Sequence, residues 1–197
     1  MDEMEEVKEY YNRTRDRKPA RLLVEAVGLY EGEKGVALDL GAGALRDSKY
    51  LLEHNFSVTA VDSSELLLEE AESIVQHEYF FTVVSSFDRY EFPNEIFDLV
   101  NAQYALPSNP PETFNEMFAR LCGSLKKSGI FVGQFFGKND SWNIPGSNMS
   151  FHSKDEVGKF LKDFSVIKLD EKEEDVKSTM EEMKHWHIFD VIAKKNS

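Results

Sequence analysis

Seven short apolar or β-branched runs recur along this chain with helix-like patterns between them, and that alternation predicts an α/β fold built on a mostly parallel sheet. The predicted strands are 36–40, 57–61, 80–84, 97–101, 130–136, 164–169 and 187–193. Between them, Phe114, Met117, Phe118, Leu121 and Leu125 place one apolar stripe on a helix over 111–126, with Gly129 after it. Ser153 and Glu156 form a capping-box pattern ahead of Val157, Phe160, Leu161 and Phe164. Shorter helices are expected over 46–54, ending at Asn55, and over 64–76, with Leu67, Ala71, Ile74 and Val75 turned inward. Charged residues are dense from Asp170 to Glu182, so 170–186 reads as a long solvated connection.

The 197 residues, 41% hydrophobic, suffice for one core and one domain. A net charge of -13 argues against broad nucleic-acid binding, and no apolar run approaches the length of a membrane span. The single Cys122 cannot form an internal disulfide, and the first thirty residues lack the apolar core of a signal peptide, so a cytoplasmic protein is expected.

The segment "GVALDLGAGALRDSKYLLEH", residues 35 to 54, carries the most chemistry. A strand ends at Asp39-Leu40, Gly41-Ala42-Gly43 follows, and a helix begins, which is the context in which a glycine turn approaches a nucleotide-like ligand. Lacking Cβ, the glycines let backbone N–H groups come close to it. A tight βα turn would need the glycines equally. Asp62 supplies the second feature: it ends the second strand in "VTAVDSS", where an acid can accept from both hydroxyls of a ribose, although it could also cap the next helix. After Gly43 come Ala44, Leu45 and Arg46 in place of a third glycine, which disfavours a dinucleotide.

Together "ALDLGAGALRDSKYLL", "VTAVDSS", "FDLVNAQYALP" and "SGIFVGQFFGKNDSWN" resemble the class I S-adenosylmethionine-dependent methyltransferases, in particular the small bacterial type similar to tellurite-resistance methyltransferases. The resemblance spans about residues 8 to 193 and implies a Rossmann-like seven-stranded sheet with an antiparallel last strand and helices on both faces. It implies one methyltransferase domain over 1–197, with 1–32 a helical lid and 33–197 the core. The implied cofactor is S-adenosylmethionine, leaving S-adenosylhomocysteine as product. Gly41, Ala42 and Gly43 would lie against its methionine portion and Asp39 would hold the amino group. Asp62 would take the ribose hydroxyls, Ser63 would flank the adenine, and Asn101 would face the sulfonium. Where the family usually has an acid for the adenine amine, this chain has Ser86 followed by Phe87.

Methyl transfer from a sulfonium is an in-line displacement in which positioning and exclusion of water supply much of the rate. No catalytic base is assigned. Candidates for the acceptor pocket are Tyr10 and Tyr11 before the first strand, Tyr104 after the fourth, Trp142 after the fifth, and His185. His185 and His187 share one strand face, yet no third ligand stands at metal-binding spacing, so no metal is expected. The expected partner is a small-molecule acceptor, with no nucleic acid or membrane, and the chain is expected to be a monomer or homodimer. "NAQY" in place of an "NPPY"-type tetrad argues against adenine or glutamine methylation. The alternative is a protein that keeps the fold and binds S-adenosylmethionine or a nucleotide without catalysis.

Overall fold

Each apolar run becomes a strand in the computed structural model, which describes residues 3–74 and 77–196. The strands are β1 (Gly35–Leu40), β2 (Phe56–Asp62), β3 (Phe80–Val84), β4 (Phe97–Ala102), β5 (Leu125–Gly137), β6 (Phe151–His152), β7 (Phe164–Lys177) and β8 (Met183–Lys195). Their order is β3-β2-β1-β4-β5-β8-β7, with the short β6 beside the end of β5. β1 runs parallel to β2 and β4, β5 runs parallel to β4, and β8 is antiparallel to both β5 and β7. This is the Rossmann-like arrangement. The strand order reverses between β1 and β4, and beyond the carboxyl ends of those strands an open sheet leaves a crevice for a ligand.

Helices α1 (Glu3–Thr14), α2 (Arg21–Val27), α3 (Arg46–Glu53), α4 (Leu66–Ala71), α5 (Pro111–Ser124) and α6 (Lys154–Phe160) surround the sheet. Period-two alternation along β5 feeds two cores. Ile130 and Val132 join the cluster with Leu23, Leu51 and Phe56, while Phe131 and Phe135 join the cluster with Phe114, Phe118 and Leu121. The second core absorbs much of the phenylalanine content: Phe118 meets Phe131 at 5.6 Å and Phe135 at 5.4 Å between ring centroids. The capping box at α6 forms as its sequence predicts, with the Glu156 backbone N–H donating to the Ser153 side chain and the Ser153 N–H to Glu156.

Two expectations are corrected. The predicted helix over 64–76 is helical only over Leu66–Ala71; Ile74 packs beside the core, and Val75 lies outside the described residues. The segment 170–186 is no loose connection: β7 and β8 continue as an antiparallel ribbon to the pair Lys177 and Met183. Its charges misled because a solvated ribbon is held by cross-strand pairs instead of apolar runs. His185 Nδ1 lies 2.9 Å from Asp175 and Nε2 3.1 Å from Glu173, while His187 Nε2 lies 3.1 Å from Glu171.

Candidate functional site

At the end of β1 the chain turns sharply, and Gly41 and Ala42 both donate backbone N–H to the Val61 carbonyl, at 2.8 and 3.1 Å. Gly41 has φ +76°, and a Cβ there would stand 2.5 Å from that of Ala105, so conformation and space both require glycine. Gly43, at φ +50°, faces open space bounded by the Tyr11 ring. Its N–H donates to Asp62 Oδ2 at 2.9 Å, and Asp62 Oδ1 accepts from the Ser64 N–H at 3.0 Å. One carboxylate therefore ties the glycine turn to the end of β2, and each oxygen keeps a lone pair for another donor.

Beneath the turn, Asp39 is 2% exposed and accepts from Ser48 Oγ at 2.5 Å and Asn101 Nδ2 at 2.8 Å. Burial and the nearby Asp47 charge push its pKa far above the usual carboxylate range. From Asn101 a buried polar chain crosses the sheet. Gln103 donates to Asn101 (2.8 Å), Gln134 donates to Gln103 (3.1 Å) and to Asp190 (3.1 Å), and Lys172 closes on Asp190. Gln134 also accepts the Tyr104 N–H at 2.9 Å, pinning a residue whose φ of +55° only a few non-glycine residues adopt. Replacing Gln134 with leucine is expected to cost about 1–3 kcal/mol in urea unfolding, because it strands buried partners.

Above this floor lies a cavity of about 750 Å³. One half is lined by Gly41, Gly43, Asp62, Ser63, Ser86 and Phe87, with Tyr10 and Tyr11 of α1 over it. The Tyr11 hydroxyl is buried with no hydrogen-bond partner among the described residues, and burial and the Asp62 charge raise its pKa. The other half is aromatic. Trp186 stands 5.9 Å from Tyr104, 5.6 Å from Phe136 and 5.6 Å from Trp142 between ring centroids. Behind these rings, outside the cavity, the Lys184 ammonium sits 3.8 Å from the Trp186 centroid and 4.2 Å from that of Trp142, paired with Asp140. The ribbon tip meets the end of α1, where Arg13 and Arg17 donate to Thr179 at 3.4 and 3.2 Å.

The structure brings together most of the residues picked from sequence. Asp39, Ala42 and Asn101 lie in the floor beneath the cavity instead of on its lining. His185 is a correction: a strand's period of two sends it to the carboxylate face of the ribbon, and its neighbour Trp186 faces the cavity. Gln103, Phe136, Gln134 and Trp186 escaped the sequence reading. For Trp186 the signal was present, since it alternates with the two histidines.

Residues 37–129 match the model of a methyltransferase domain family. No curated protein matches the chain. Among solved structures, TehB from Haemophilus influenzae superposes with a TM-score of 0.73 at 15% identity, over 88% of this chain and 61% of that one. The chain thus spans less than two thirds of the TehB length. A Burkholderia thailandensis 1,6-didemethyltoxoflavin-N1-methyltransferase, with 1,6-didemethyltoxoflavin and S-adenosylhomocysteine bound, gives 0.64 at 20% identity, over 98% and 87%. A SAM-dependent methyltransferase from Methanosarcina mazei gives 0.68 at 17% identity, over 91% and 99%. Among the described residues no helix is long and apolar enough to cross a membrane. Residues 37–129, just under half of the chain, therefore resemble a methyltransferase domain, and the described residues share the fold of solved S-adenosylmethionine-dependent methyltransferases.

Proposed function

We propose that the protein binds S-adenosylmethionine in the glycine-turn half of the cavity and directs its methyl group to a small molecule held in the aromatic half. The observation that carries this reading is the hydrogen bond from Gly43 to Asp62, which sets a cofactor-sized recess directly beside a second, aromatic one. The residues suit the cofactor. Asp62 retains lone pairs for ribose hydroxyls, the unpartnered Tyr11 hydroxyl is a ready donor, and Gly41 and Gly43 leave the backbone bare. S-adenosylmethionine supplies an activated methyl on a sulfonium, so the chain's residues need only align the acceptor and keep water out. Helix α1 acts as a lid. Its hold on the ribbon tip, through Arg13 in its last turn and Arg17 just beyond it, is part-buried at the first and exposed at the second, and weak enough to open on each turnover. A binding protein without catalysis would have no use for the aromatic recess, which favours the enzyme.

Asp39 makes the reading testable. An ammonium group above it stabilises the carboxylate, so cofactor binding releases the proton that Asp39 holds at a pKa of about 7. Titration calorimetry is expected to show S-adenosylmethionine and S-adenosylhomocysteine binding at pH 8, with affinity about tenfold lower at pH 6 and proton release that depends on buffer ionisation heat. The free protein is expected to follow the opposite trend in urea unfolding: a carboxyl whose folded pKa is raised makes stability fall as pH rises from about 4 to 7. No binding of either ligand at any pH refutes the proposed function.

A further inference from the structure

Resting on that function, we infer that the methyl acceptor is a flat, neutral, electron-rich aromatic or heteroaromatic molecule, and that Lys184 sets this preference from behind the pocket wall. Tyr104 and Trp142 are 45% and 43% exposed, a large apolar area to leave bare unless a ligand covers it. With Trp186 and the edge of the nearly buried Phe136 they form one aromatic end of the cavity. Such a wall could equally cage a cation, and the deciding feature is that a cation already occupies it. The Lys184 ammonium lies against Trp186, Trp142 and, at 5.1 Å, Phe136, yet it is 4% exposed and does not line the cavity. It draws π density away from the cavity-side faces, which weakens attraction for a second cation and strengthens stacking with an electron-rich ring.

Anions are disfavoured on separate grounds. Glu174, the cross-strand partner of Trp186, lines the same cavity, and the charge of Lys184 is neutralised by Asp140. The cations on the lining, Arg17 and Lys177, stand toward the ribbon tip: Arg17 donates to Thr179, and Lys177 pairs in register with Met183, three residues before Trp186. A carboxylate or metalloid oxyanion seated against the rings would meet the Glu174 carboxylate and no free donor of positive charge. In the transfer, a lone pair on a ring nitrogen or ring-borne oxygen forms the bond to the methyl carbon as the carbon–sulfur bond breaks. The bonding pair stays on sulfur, and a proton on the acceptor atom leaves to water.

The chain has two tryptophans, and both belong to this wall, so the two indole N–H resonances in a nitrogen-15 spectrum report on it alone. Protein saturated with S-adenosylhomocysteine is titrated separately with quinoline, N-methylquinolinium, 2-naphthoate and tellurite. Quinoline is expected to shift both resonances saturably and to bind at least about tenfold more tightly than the other three. Equal or tighter binding of any charged probe, or no response to quinoline, overturns the inference. In the paired substitution Lys184→Met with Asp140→Asn, which avoids a lone buried charge, N-methylquinolinium should gain about tenfold relative to quinoline; an unchanged ratio removes Lys184 from the role. Binding of S-adenosylhomocysteine without a quinoline response defeats this inference alone. A quinoline response in a protein that binds neither S-adenosylmethionine nor S-adenosylhomocysteine defeats the proposed function instead.

Discussion

Asp140→Ala is expected to destabilise the protein by about 3–5 kcal/mol, the cost of leaving a buried charge without its partner. The Asp140 and Lys184 side chains are 0% and 3% exposed, so bulk solvent is shut away from the stranded ammonium. Two further bonds disappear with it, because Asp140 also accepts the backbone N–H of Trp142 at 3.0 Å and of His187 at 3.2 Å. The first of these fixes the loop that carries Trp142 into the cavity. Urea unfolding at pH 7.5 measures the loss, and the double variant Asp140→Ala with Lys184→Met should recover much of it by removing the stranded ammonium. The pH dependence carries its own sign. Burial already lowers the Lys184 pKa, and loss of Asp140 lowers it further. The folded variant then binds fewer protons than its unfolded form, so its stability rises with pH and the deficit narrows toward pH 10. A deficit under about 1 kcal/mol at neutral pH would mean that the pair is far better hydrated than its burial implies.

The second large effect is at Asp62. Under the proposed function, Asp62→Ala removes the two carboxylate oxygens offered to the ribose and frees the Gly43 N–H from its anchor, and S-adenosylmethionine affinity should fall about 30- to 100-fold, about 2–3 kcal/mol. Asp62→Asn separates the two causes. The amide oxygen can still accept from Gly43, so the turn survives while the charge is lost, and an intermediate weakening of about tenfold is expected. Calorimetry reads both variants against the wild type. If both bind as tightly as the wild type, Asp62 is a structural cap on the turn into α4 and the ribose contact lies elsewhere.

Much of this architecture was legible in the sequence because it depends on local pattern. The apolar runs that became β1, β4 and the inner part of β5 are nearly continuous, as strands covered on both faces must be, and Ser153 with Glu156 capped α6 where their spacing required. Gly41, Gly43 and Asp62 were readable because a sharp turn with bare backbone followed by an acid at the next strand end is a local demand on residue type. The ribbon of β7 and β8 was not readable, since its stability comes from pairs such as Asp175 with His185 that meet only across the hairpin.

What the sequence by itself determined is therefore the order of elements and the glycine turn with Asp62 on one βαβ unit, where the geometry is written in neighbouring residues. Only the tertiary structure decided the other half. Asn101, Gln134 and Asp190 come from three strands and Gln103 from the turn after β4, and they become one polar chain because the sheet lays β4, β5 and β8 side by side. Likewise Trp142, Trp186 and Lys184 acquire meaning only when β8 turns one face inward, since cation–π and stacking energies depend on distances that residue spacing along the chain does not fix.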